Sequence, residues 1–258
     1  MRGSYTAMFQ ILRRLAVPVV GAVALGACFR GTSTTIRPDP DARYREGMQA
    51  FRHGDFQGAQ EIFQALQFEL AARDTLLPKV RFYYAESFAG LDDFIGAARE
   101  FRRVADDFPS DALAPYALLR AGDQHGRMWR RLELDPTNGE TALATYQELI
   151  GRFPDSPAAR LAEIRVRVLQ DLYARKDFEN GLFYFKRGGY DSAILYFRSL
   201  IAQYPGASVV PDAYVKLVEA YSAIGYREER EETCAHLREV FGTRADVRRV
   251  CGNGSTGR

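Results

Sequence analysis

The sequence predicts an all-α protein: a right-handed superhelical solenoid of about five helix pairs, with one long helix joining two sub-bundles. Three observations point there. A small residue, an aromatic and a proline recur at fixed offsets through most of the chain. One stretch of almost thirty residues, 158–186, keeps helical periodicity with no proline. Hydrophobic residues make up 47% and charged residues 26% of 258 positions, the mix of a folded soluble body. The 11 prolines and 22 glycines exclude a collagen-like or low-complexity chain, and three cysteines exclude a disulfide-dense mini-scaffold.

Residues 1–27 read as a secretory signal. Arg13 and Arg14 form its charged flank, and Leu15 to Leu25 is an apolar run of eleven residues. A spanning helix needs about 20, so the run is the hydrophobic region of a leader. It ends in Leu25-Gly26-Ala27-Cys28, which resembles a bacterial lipobox. On that resemblance Cys28 becomes the acylated first residue of the mature chain; the alternative is an ordinary cleaved leader with an incidental cysteine. Lipidation places the body outside the inner membrane, in an oxidising compartment, anchored by its acyl chains. Phe29, in place of the aspartate that retains lipoproteins at the inner membrane, favours the outer membrane. Residues 28–41 are polar, carry Pro38 and Pro40, and read as a lipidated flexible tether.

Without Arg2, Arg13 and Arg14 the charge balance moves from 35 basic against 33 acidic to 32 against 33. A near-neutral body does not provide the clustered cation surface that nucleic acid requires.

From Ala42 onward an alanine is followed four residues later by an aromatic, and usually by a proline eight residues beyond that. Ala59 pairs with Phe63, Ala97 with Phe101 and Pro109, Ala142 with Tyr146 and Pro154, and Ala193 with Phe197 and Pro205. Twelve positions before the alanine lie Gly47, Ala85 and Gly181; nine before it lie Phe88 and Tyr184. Small residues let two antiparallel helices approach. Aromatics fill the space to the next pair, and proline ends the second helix. This is the tetratricopeptide arrangement; a generic helix hairpin would not reproduce the proline. Units one to three occupy 42–156. The prolines at 109, 154 and 205 are 45 and 51 residues apart, more than the usual repeat of about 34. A loop around Arg127 to Asn138 accounts for the first excess. The second is one long helix, or two nearly collinear ones, from Ala158 to Lys186, about 45 Å at 1.5 Å per residue. Units four and five, with that helix, occupy 157–251. In the fifth unit Arg230 stands where a small alanine is expected, so this unit packs loosely or caps the stack with a polar face. Residues 252–258 read as a disordered tail.

No enzymatic constellation emerges, and no cofactor is expected. His53, His125 and His236 have no partner at metal-ligand spacing, so no metal site is expected. Asp92-Asp93 and Asp106-Asp107 lie at a turn and a helix end, as solvated acids do. Cys234 and Cys251 flank a turn at Gly242-Thr243. A short returning helix over 244–251 brings them level, where they form either a bridge, worth about 3 kcal/mol on the entropic model, or two buried small hydrophobes.

The combination resembles the BamD (ComL) family of outer-membrane assembly lipoproteins. The likeness covers about 42–242. It is most specific from Asn180 to Glu219: Phe183-Tyr184-Phe185-Lys186-Arg187-Gly188-Gly189-Tyr190, then Ser192-Ala193, Tyr204-Pro205 and Pro211-Asp212-Ala213. The resemblance implies a non-catalytic scaffold on the periplasmic face of the outer membrane. Its C-terminal half would hold a POTRA domain of BamA, alongside other Bam lipoproteins. Its N-terminal half would offer a groove to unfolded β-barrel proteins bearing an aromatic C-terminal signal. Arg43, Tyr44, Phe51, Arg81, Phe82 and Tyr84, on the first helices of units one and two, are the expected groove residues; inter-repeat core is the alternative for each aromatic. Many family members carry an arginine at the position of Tyr196, implicated in the BamA contact. Here either Arg187 or Arg198 substitutes for it, or stacking and burial replace the ion pair. Another envelope repeat lipoprotein, a pilus or secretin pilotin or an adaptor for cell-wall enzymes, is the competing reading.

Overall fold

In the computed structural model, residues 39–129 and 135–252 are described. The leader, Cys28, most of the tether and the last six residues lie outside them. Among the described residues there are eleven helices and no strand. The helices are α1 (Pro40–Arg52), α2 (Phe56–Glu69), α3 (Leu77–Gly90), α4 (Phe94–Asp107), α5 (Ala114–Met128) and α6 (Thr137–Arg152). They continue as α7 (Pro157–Lys186), α8 (Tyr190–Gln203), α9 (Val210–Ile224), α10 (Arg227–Phe241) and α11 (Ala245–Cys251). Consecutive helices pack on each other through the chain. The first ten make five pairs, and the described residues form one compact unit.

Proline punctuates the repeat at both ends of the helices. Pro40, Pro78, Pro115, Pro157 and Pro211 each stand in the first turn of the first helix of a pair, where the missing N–H costs nothing. The second helices of units one and two start on aspartate caps: Asp55 accepts from the Gly58 amide at 2.9 Å and Asp93 from the Gly96 amide at 2.8 Å. Helix α1 begins at Pro40, two residues ahead of the expected Ala42.

The small-residue rule has a direct steric basis. A Cβ on Gly47 would meet Phe63 at 2.6 Å, and one on Gly181 would meet Phe197 at 2.5 Å. Phe63, Phe101 and Phe197 are fully buried. Unit three obeys the same rule through Gly122, whose Cβ would meet Tyr146 at 2.5 Å. Sixteen residues separate glycine and aromatic in units one and four, but 24 separate Gly122 from Tyr146. The longer separation in unit three puts the glycine out of the expected register.

The long segment is one helix of 30 residues, capped by Ser156, which accepts from the Ala159 amide at 3.0 Å. Its first half lies on α6 and its second half on α8. An aromatic stack crosses the junction: Trp129 lies 4.7 Å from Tyr173, and Tyr173 lies 6.3 Å from Tyr204. Charged pairs link unit two to unit three. Arg120 forks onto Glu86 at 2.6 and 2.5 Å, and Arg102 reaches Glu148 at 2.8 Å.

At the C-terminal end Arg230 fills the place of the expected alanine. It donates to Ser222 Oγ at 2.9 Å and to the Val250 carbonyl at 3.0 Å. Helix α11 folds back onto α9 and α10 and is tied there by a Cys234–Cys251 disulfide, with Cα atoms 5.4 Å apart. Arg244 bridges Asp212 of α9 and Asp246 of α11. No helix among the described residues is long and apolar enough to cross a membrane.

Candidate functional site

The expected groove residues divide into two groups. Tyr44, Phe51 and Phe82 turn inward. Tyr44 lies against Phe63 and Tyr83 at 6.1 and 6.2 Å, and Phe51 against Phe56 and Tyr83 at 5.3 and 5.6 Å. Phe82 packs edge-on to Phe101 at 5.2 Å. Burial pushes the Tyr44 hydroxyl up to about 12, with the Tyr83 hydroxyl adding to the effect. Arg43 is held by Glu69, across the first helix pair.

Arg81 and Tyr84 line a groove of about 510 Å³ floored by α3 and walled by α2 and α4, with Tyr84 also packed against the core around Phe63. Arg81 pairs with Asp107 and lies 5.2 Å from the centre of the Phe108 ring. Tyr84 packs edge-on to Phe88 at 5.0 Å; burial raises its pKa, and Glu100 raises it further. Arg99 and Arg103 both engage Oε1 of Glu100, at 3.2 and 3.0 Å. At the rim Phe68 is 80% exposed. Sequence reasoning missed Phe68, Arg99 and Arg103. Phe68 had a legible signal: it stands five residues after the core Phe63, so it points off the buried face of an otherwise amphipathic helix.

A second groove, of about 420 Å³, is floored by α9 and walled by α8 and α10. It is built from equivalent repeat positions. Gln64, Gln67 and Phe68 correspond to Arg198, Ile201 and Ala202; Arg81 and Tyr84 to Tyr214 and Leu217; Arg99 and Arg103 to Glu232 and His236. The charge is inverted between them. The first groove holds Arg81, Arg99 and Arg103 against Glu100 and Asp107, and the second holds Arg198 against Glu229 and Glu232. The Tyr221 hydroxyl has its pKa raised chiefly by burial, and the nearby positive charge of Arg198 works against that rise. His236 lies 4.9 Å from the Tyr214 ring.

Arg187 and Tyr196 sit elsewhere, on an exposed aromatic ladder. Tyr196 stacks on Tyr184 at 5.5 Å, Phe183 meets Tyr184 edge-on at 5.3 Å, and the Arg187 guanidinium covers Phe183 at 3.6 Å. Leu195 stands exposed on the same helix as Tyr196. Tyr196 and Arg198 are two positions apart on α8 and therefore face different ways. The structure brings Arg187 and Tyr196 together and leaves Arg198 in the second groove.

Curated relatives span most of the chain. The chain is 25% identical over 232 residues to the outer membrane protein assembly factor BamD of Caulobacter vibrioides, covering 86% of this chain and 74% of that protein. It is 25% identical over 230 residues to BamD of Vibrio cholerae, covering 83% and 93%. BamD of Neisseria meningitidis serogroup A matches at 24% over 255 residues, covering 90% and 91%. Among solved structures, the TPR2AB domain of yeast Sti1 in its pHSP90 complex aligns with a TM-score of 0.44 at 13% identity, covering 82% of this chain and 81% of that one. The family model YfiO, described as outer membrane lipoprotein, matches residues 38–237, and the chain, with its BamD relatives, belongs to that family.

Proposed function

We propose that this protein is a lipid-anchored, non-catalytic scaffold on the periplasmic face of the outer membrane, where it takes part in assembling and inserting β-barrel proteins. The observation that carries the reading is the family match across 38–237, over the five helix pairs found among the described residues. Acylated Cys28 supplies the anchor, and residues 29–38 are a tether between lipid and repeats. The α2–α3–α4 groove receives the C-terminal signal of an unfolded barrel protein: Phe68 and Tyr84 contact its aromatic side chain, and Arg81, Arg99 and Arg103 draw its carboxylate. The aromatic ladder of Phe183, Tyr184 and Tyr196, with Arg187, meets a POTRA domain of BamA by stacking and burial, in place of the ion pair that an arginine at 196 would make. Other Bam lipoproteins join the same assembly.

Crosslinking in intact envelopes, followed by pull-down and partner identification, tests this. Recovery of a large β-barrel protein with periplasmic POTRA domains is expected, together with lower outer-membrane barrel levels on depletion. Recovery of secretin or cell-wall hydrolases with unchanged barrel levels would overturn it. Metabolic labelling with a fatty-acid analogue tests the anchor: label is expected on the wild type and absent from Cys28→Ala.

A further inference from the structure

The first half of α7 presents an apolar stripe that no helix among the described residues covers. Ala158, Ala159, Ala162 and Leu169 are buried, but Leu161, Ile164 and Val168 are 46%, 44% and 52% exposed. With Leu172 they follow i, i+3, i+7, i+11, a single helical face about 17 Å long. The cause is a mismatch of length: α7 has 30 residues and its partner α8 has 14, matched to the second half. Two shallow hollows flank the ridge of Val168 and Leu172. One, of about 390 Å³, is bordered by Arg127 of α5 and Tyr146 of α6; the other, of about 550 Å³, reaches Gly206 and Ser208 before α9.

The rim is cationic. By helical spacing Arg160 and Arg167 run along one edge of the stripe and Arg165 along the other. Arg175 lies one turn beyond. The acids nearby are engaged from within. Asp123 accepts from the Tyr146 hydroxyl at 2.8 Å and from Arg165 at 3.1 Å. Asp171 accepts from the Ser208 amide at 2.7 Å and from Arg175 at 2.9 Å. Glu163 is the remaining acid, and Arg160 and Arg167 have no ion pair among the described residues. A ridge between two hollows matches the ridges-into-grooves surface of another helix better than it matches a flat bilayer.

We infer that the exposed face of α7 is a docking site for an acidic amphipathic helix of a partner protein, about three turns long, with glutamates or aspartates flanking its apolar face. The site is separate from both grooves and from the aromatic ladder, so it stands or falls independently of them.

The test uses the full chain in detergent with three probes. These are a synthetic helical peptide with leucines at i, i+3 and i+7 flanked by glutamates, a sister peptide with lysines for the glutamates, and vesicles of anionic phospholipid. The glutamate peptide is expected to bind at least about tenfold more tightly than the lysine peptide. Ile164→Ser with Val168→Ser is expected to weaken it about tenfold or more, and Arg167→Glu about fivefold. These side chains are solvent-facing, and an unchanged melting temperature will show that the variants remain folded. Equal binding of both peptides, or of wild type and the double variant, overturns the inference. So does binding of vesicles through these residues without the peptide. A photo-crosslinker at Val168 in intact envelopes should map onto an acidic helical segment; a crosslink to lipid, to a basic segment or to nothing overturns it.

Discussion

At the scale of single residues, the repeat is a set of contacts between a missing side chain and a ring. A Cβ on Gly181 would stand 2.5 Å from Phe197, and Phe197 is fully buried between helices that cannot separate without losing the rest of the core. Gly181→Ala is therefore expected to cost about 1–3 kcal/mol by overpacking, and Phe197→Ala about 3–5 kcal/mol by leaving a cavity, both measurable by denaturant unfolding. A glycine variant as stable as wild type would show that the ring moves aside freely. Burial also holds the Tyr44 and Tyr173 hydroxyls at about 12, against 10.0 for a free phenol. The unfolded chain ionises near 10 and the folded chain only near 12, so stability is intact below pH 10 and falls as pH rises between these values. The melting temperature should decline over that window, and less steeply in Tyr44→Phe; an unchanged slope in the variant would remove Tyr44 from the explanation.

At the scale of helices and turns, equivalent positions solve the same problem with different residues. The left-handed turn between paired helices falls at Gly54 with φ of 81°, at Gly188 with 76° and at Gly225 with 79°. In unit two it falls at Asp92, with φ of 59°. A side chain in that region costs about 1–2 kcal/mol, less for aspartate. Gly188→Ala should lower stability by about 1 kcal/mol, whereas Asp92→Gly should leave it unchanged or slightly higher, as calorimetry can decide. Most of this architecture was legible in the sequence because proline, glycine and buried aromatics are local signals: the pair boundaries, the long helix and the odd fifth unit all follow from them. Register within unit three was not legible, because Gly122 meets Tyr146 across 24 residues where units one and four use 16. The inward turn of Tyr44, Phe51 and Phe82 was not legible either, since a first helix of a pair buries aromatics on two faces and periodicity does not say which face is open. The Cys234–Cys251 bridge is a third case. Spacing brought the two cysteines level without bonding them, whereas the structure ties α11 through them. Denatured, unreduced protein should show no free thiol at either position. The double alanine variant should lose about 3 kcal/mol on the entropic model.

At the scale of the whole molecule, duplication of a groove with reversal of its charge gives one chain two surfaces of the same form and opposite preference. The α2–α3–α4 groove carries three arginines against two acids, and the α8–α9–α10 groove one arginine against two glutamates. Sequence reasoning saw neither the correspondence nor the reversal, because both appear only when side chains from three helices are brought together. The reversal has a measurable consequence for a peptide that ends in an aromatic residue with a free carboxylate. On the proposed reading such a peptide is expected to gain at the first groove from Arg99 and Arg103, whose side chains are each 61% exposed. At the second groove Glu229 and Glu232 are expected to repel it. Arg99→Gln with Arg103→Gln should weaken binding by about tenfold or more; because both arginines meet Glu100, whose side chain is only 11% exposed, the melting temperature is followed alongside to show that the variant remains folded. Amidating the peptide's C-terminus should lower affinity for wild type but not for the double variant, because the lost partner is the same charge. Raising salt should narrow the difference between free and amidated peptides, as screening of exposed charge requires. If amidation reduces binding equally in both proteins, the carboxylate is not read by these arginines, and the assignment of the first groove to C-terminal signals fails.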